Sequence, residues 1–123
     1  MPDVLHDDIF DNGLNALDNS ENLYILSADP GLVWANIAAY AIGSKAAPTI
    51  GACGDRTGGG RKRTVAAITD GAVSGTDTAT HYALADDSAT KILASGDLSA
   101  PQAVTDGNPF TLTAFDIGVP DPA

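Results

Sequence analysis

The segment Thr78-Ala-Thr-His-Tyr-Ala-Leu-Ala-Asp-Asp-Ser-Ala-Thr-Lys-Ile-Leu-Ala-Ser-Gly-Asp-Leu98 alternates, breaks on short polar side chains, and then resumes. From Ala79 to Ala85 the alternation sets Thr80, Tyr82 and Leu84 on one face of a strand and Ala79, His81, Ala83 and Ala85 on the other. Asp86-Asp87-Ser88 supplies side chains that bond to their own backbone and so favour a turn. Lys91 to Ser95, with Ile92 and Leu93, reads as the returning strand, closed by Gly96-Asp97. This is a β-hairpin, and it sets the expectation for the rest of the chain.

Working upstream, Asp70-Gly71 lies between apolar alternations and predicts a second hairpin, with Arg63 to Ile68 as its first strand and Ala72 to Ser74 opening its partner. Gly54 to Arg63 contains Gly58-Gly59-Gly60 and reads as a mobile basic loop. Ala46 to Cys53 reads as a strand, with Pro48 at its start or on an edge. Leu32 to Ile42 is a short helix or irregular crossing anchored by Trp34, and Asp29-Pro30-Gly31 is a turn. Leu23-Tyr24-Ile25-Leu26 is too apolar to be exposed on both faces and predicts a central strand. Before it, Ile9, Phe10, Leu14 and Leu17 fall at helical spacing behind Asp7 and Asp8, an N-cap pair, giving a short amphipathic helix over residues 7 to 18.

Downstream of the first hairpin, residues 94 to 106 are rich in Ser, Ala and Pro, and Asp106-Gly107-Asn108-Pro109 marks a turn. Phe110 to Val119 is the last strand. Its apolar phase slips between Leu112 and Phe115, which predicts a β-bulge near Ala114. Pro120 to Ala123 reads as a rigid tail. The expectation is one domain over residues 1 to 123 with extended terminal segments. It is mainly β, a small antiparallel β-sandwich or barrel-like domain with one short N-terminal helix. The alternative is an α+β domain in which Trp34 to Ile42 forms a full helix.

The 123 residues carry 16 acids against six bases, a net charge of −10, which argues against a nucleic-acid partner because the phosphate backbone would repel the chain. Much of the 44% hydrophobic content is Ala, so a thin core completed by a neighbouring subunit is expected. No apolar run approaches the ~20 residues of a membrane span, and no membrane partner is expected. The charges are segregated: residues 1 to 44 hold seven acids and no Lys or Arg, whereas residues 45 to 63 hold Lys45, Arg56, Arg61, Lys62 and Arg63 against Asp55 alone. Arg56, Arg61, Lys62 and Arg63 are therefore candidate contacts to an acidic surface, and Trp34 is a further candidate partner contact.

The residues that could carry chemistry each have a plainer reading. A phosphate-binding Gly-x-x-x-x-Gly-Lys-Ser/Thr is not met, because Gly54 and Gly59 are followed by Gly60 rather than Lys. Asp86-Asp87 lacks the Gly and Glu of a calcium loop. His6 and His81 belong to no ligand-spaced cluster, and Cys53, the only cysteine, reads as an inert thiol in a chain made in a reducing cytoplasm. No serine sits in a Gly-x-Ser-x-Gly elbow. The expectation is a protein without catalytic residues, metal or cofactor.

Most of the chain resembles a family of short virion proteins of tailed bacteriophages and prophages. The likeness lies in the helix from Asp7 to Leu17, Ser27-Ala-Asp-Pro30, Tyr40-Ala-Ile-Gly43, Gly60-Arg-Lys-Arg-Thr-Val65, Gly75 to Leu84, and the terminal Phe110 to Pro122. These motifs are structural rather than catalytic. The resemblance implies a capsid decoration (cement) protein on the outer capsid surface, made in the bacterial host cytoplasm. Its implied partners are the major capsid protein and further copies of itself in a homotrimer. The alternative it leaves is a tail, tail-tip or fibre component, an adhesion or carbohydrate-binding module using Trp34 and Tyr40.

Overall fold

The structure, a computed structural model, describes residues 7–119, and side-chain surroundings from residue 11 onward. His6, the side chains of Asp7, Asp8, Ile9 and Phe10, and the tail from Pro120 to Ala123 lie outside what is described. The protein is mainly β. A helix, α1 (Asp7–Leu14), runs into a 3-10 turn (Asn15–Asn19) and is followed by nine strands and one further short helix. The strands are β1 (Asn22–Leu26), β2 (Ala41–Ala46), β3 (Gly54–Asp55), β4 (Arg61–Val65), β5 (Ile68–Val73), β6 (Asp77–Asp86), β7 (Lys91–Val104), β8 (Pro109–Leu112) and β9 (Phe115–Val119). The short helix, α2 (Ala35–Tyr40), connects β1 to β2.

Two antiparallel sheets result, one of six strands in the order β7-β6-β1-β2-β5-β8 and one of three in the order β3-β4-β9. The apolar run at Leu23–Leu26 is central as expected, between β6 and β2, and Leu23, Ile25 and Leu26 are fully buried. Alternation sends Leu23 and Ile25 into the main core and Leu26 to the opposite face. The main core lies between the sheets, joining Leu23, Ile25, Leu84 and Phe110 of the large sheet to Val65 of the small one, and Leu14 and Leu17 close it. On the other face α2 packs Ile37 over Leu26, Ala83 and Ile92, flanked by the half-buried Trp34 and Tyr40. The α+β alternative therefore does not hold: the helix from this region ends at Tyr40, and Ala41 already begins β2.

Four expectations are corrected. Ala46 to Cys53 is not a strand: β2 ends at Ala46, and the following stretch touches β4 only through an isolated bridge from Ile50 to Val65. Asp70-Gly71 is not a hairpin turn but lies within β5, where the Phe110 ring occupies the space a Cβ on residue 71 would take. The glycine is there for a close approach, not for a turn. The returning strand does not close at Gly96-Asp97, because β7 runs on through Val104. Between the pairs His81–Asp97 and Ala79–Gln102, residues 98 to 101 bulge out opposite Thr80 alone, and Pro101 sits in that bulge where no ladder donor is required.

The fourth correction concerns the phase slip near Ala114, which is a change of sheet and not a bulge. β4 and β5 form one strand bent at Ala66–Ala67, β8 and β9 another bent at Thr113–Ala114, and the two pair along their length. Val65–Phe115 in the small sheet and Ile68–Leu112 in the large one keep the same register across the bend. Small side chains at the corner let this ribbon fold from one sheet into the other, as in barrels and orthogonal sandwiches.

Candidate functional site

The structure disperses the basic segment. Arg61, Lys62 and Arg63 lie on β4 and not in a mobile loop, and successive side chains of a strand point to opposite faces. Arg61 turns toward α1 and pairs with Asp11 at 2.9 Å and with Asp55 at 2.7 Å. Lys62 faces the other way, 3.0 Å from Asp116, which also accepts a 2.6 Å hydrogen bond from Thr64 Oγ1. The Thr64 and Lys62 hydrogen bonds hold the Asp116 carboxyl below its ordinary range. Arg63 is buried at 5% exposure, its Nε donating to the Gly51 carbonyl at 2.7 Å and its Nη1 2.7 Å from Asp18.

Arg56 stands apart. Its guanidinium donates to the backbone carbonyls of Thr57 and Gly59 at 3.4 and 3.1 Å, and its side chain lies against Gly118. With Thr57, Lys62, Asp116 and Gly118 it lines an open hollow of about 340 Å³. Trp34 is on the far side of the molecule's large sheet, half-buried with α2 as the anchor role requires. Cys53 is half-buried beside Asn15, and burial together with the negative charge of Asp11 pushes its thiol up. His81 lies on β6 with Nε2 2.7 Å from Asp97 and Nδ1 2.7 Å from Thr80 Oγ1. Among the described residues, no three His, Cys, Asp or Glu side chains are grouped to hold a metal ion, and no helix is long and apolar enough to cross a membrane.

The larger cleft was not foreseen. It measures about 450 Å³ and lies between the β7 bulge and the β8–β9 corner, so it is bounded by both edges of the six-stranded sheet. Tyr82 and Phe115 meet in its wall with ring centroids 4.4 Å apart. Tyr82 reaches there by lying over Gly96, its cross-strand partner, where a Cβ would stand 3.0 Å from the ring. Burial raises the Tyr82 hydroxyl, so the ring stays neutral. Leu98 and Leu112 add apolar surface, while Asp97 and Asp116 are acids of the lining, which contains no Lys or Arg. One hydrogen bond spans the opening, from Gln102 Nε2 on β7 to the Thr111 carbonyl on β8 at 2.8 Å. The sequence signals were the Pro within β7 and the phase slip at Ala114, each of which marks one wall. Comparison of the chain with family models, curated proteins and solved structures finds no match, so the residues themselves carry the functional reading.

Proposed function

We propose that the chain is a decoration (cement) protein of a tailed-phage capsid, bound as a homotrimer to the major capsid protein on the outside of the shell. The observation that carries this reading is the loop between β1 and α2, where Leu32 and Val33 are 69% and 56% exposed beside the half-buried Trp34. Adjacent large apolar side chains held in water by an anchored turn are suited to contact with a partner. Asp29 fixes that turn by accepting the Gly31 N–H at 2.8 Å, and Ser95 Oγ ties it to β7 through the Gly31 carbonyl at 2.6 Å. The contact segment is thus prepared before binding, which lowers the ordering cost. Arg56, which meets backbone carbonyls only among the described residues, is the cation we assign to an acidic neighbouring subunit. The virion-protein motifs quoted above support the same reading.

The test is copy number per virion, combined with co-sedimentation of the purified chain with capsids. Hundreds of copies and capsid binding weakened at least about tenfold by Leu32→Asp with Val33→Asp are expected, since burying the new charges opposes docking. Six or twelve copies per virion would replace the reading with a tail or connector part. Light scattering that finds monomers both with and without capsids would remove the trimer.

A further inference from the structure

Sheet edges present unpaired N–H and C=O groups, and proteins cover them, bend them away or use them to take up another strand. Here the two edges of the large sheet, β7 and β8, face each other across the cleft without a ladder between them among the described residues. What joins them is the Gln102 amide, which gives the Thr111 carbonyl the donor a neighbouring strand would otherwise provide. Over residues 98 to 101 the β7 wall has no register partner in β6, and these same residues line the cleft. Behind these backbones lie the Tyr82–Phe115 pair and Leu112, a socket for one apolar side chain. Beside them Asp97, its side chain 85% exposed, supplies negative charge with no Lys or Arg in the lining, on a chain of net charge −10, while Asp116 is already paired with Lys62.

We propose that the seam between β7 and β8 takes up an extended peptide segment of a partner protein as an added strand, with one apolar side chain in the Tyr82–Phe115 socket and Lys or Arg toward Asp97. The segment's backbone N–H replaces the Gln102 amide at the Thr111 carbonyl. A second copy of this chain is the poorer occupant, because its one basic run, Arg61 to Arg63, is already folded into β4 and paired with its own acids. The inference rests on the preceding section only for the partner being a protein, and it needs no capsid for its test.

The probe is a fluorescein-labelled peptide of alternating Thr and Val with a central Leu and Lys at both ends, titrated into the full chain and read by anisotropy. Binding is expected to weaken as salt rises, to be about fivefold weaker for Asp97→Asn, the worth of one exposed ion pair, and at least about tenfold weaker for a peptide N-methylated on alternate amides, which cannot join a ladder. Amide shifts in the NMR spectrum should fall on residues 97 to 102 and 110 to 115, and Ala100→Trp should abolish them by filling the cleft. Equal binding of the N-methylated peptide, equal binding of a Glu-ended peptide, or shifts elsewhere would overturn the proposal. So would oligosaccharides shifting the same amides while the peptide does not. Capsid binding without peptide binding removes this inference and leaves the decoration reading, and the reverse result removes only the latter.

Discussion

Replacing Arg63 by Met keeps most of the aliphatic volume of the side chain and removes its guanidinium. Substituting a buried ion pair by an apolar isostere is often neutral, because the desolvation cost disappears with the attraction. Arg63 differs in what it leaves behind. Its Nε–H serves the Gly51 carbonyl at 2.7 Å, and its two terminal nitrogens reach the Leu14 and Ile50 carbonyls at 3.4 Å each. Asp18, the acid of the pair, is 62% exposed and can return to water. The pair itself is therefore worth at most about 1 kcal/mol. The short charged hydrogen bond and the carbonyls left without it are worth about 2 kcal/mol more. Arg63→Met should thus cost about 3 kcal/mol in urea unfolding followed by Trp34 fluorescence, a fall in Tm of about 12 °C for a chain of this length. Asp18→Asn should cost under about 1 kcal/mol. If Arg63→Met stays within 1 kcal/mol of the parent, or if Asp18→Asn costs as much, the guanidinium does not act through the three carbonyls and the argument fails.

Gly71→Ala places a methyl where the Phe110 ring lies and should cost about 2–3 kcal/mol; Phe110→Leu should absorb part of that cost, and a strictly additive double variant would show that the ring is not the obstacle. Burial and the hydrogen bond to Asp87 raise the Tyr24 hydroxyl to about 12. A pKa raised in the folded state stabilises fully below the unfolded value near 10 and is lost as pH rises toward 12. Stability measured by denaturant titration should decline over that interval less steeply in Tyr24→Phe than in the parent, and an identical decline in both would show that Tyr24 has no part in it.

Where local pattern and tertiary demand agree, the sequence is readable. Leu23–Leu26 is apolar on both faces, with Tyr24 carrying the one polar group, and becomes the central strand, and the Asp86–Ser88 break falls at the end of β6. The amphipathic spacing through Leu17 places α1 and its 3-10 turn against the core. Misreadings arise where one residue type serves two purposes. Gly71 looks like a turn and is a rest for a ring, and Gly58 to Gly60 turn tightly between β3 and β4 instead of loosening a long loop. The run Arg61–Arg63 looks like one patch, yet strand alternation divides it among the core, α1 and Asp116. The cleft escapes any local reading because its walls, residues 97 to 102 and 111 to 116, meet only when the six-stranded sheet curls.

The bent ribbon also governs the order in which the molecule can be assembled. Strand β4 is synthesised well before β9, its partner over the whole length from Arg61–Val119 to Val65–Phe115, and the loop that must close between them contains both arms of the β6–β7 hairpin. During synthesis the hairpin and β1 can associate first, through neighbours already made. The small sheet has to wait, with the Val65 side of the core open, until the last strand arrives. Non-local pairings of this kind place folding on the scale of about milliseconds to seconds. A chain stopped before Phe115 would leave an apolar face and a long unpaired edge exposed together, the combination that drives nascent chains to aggregate.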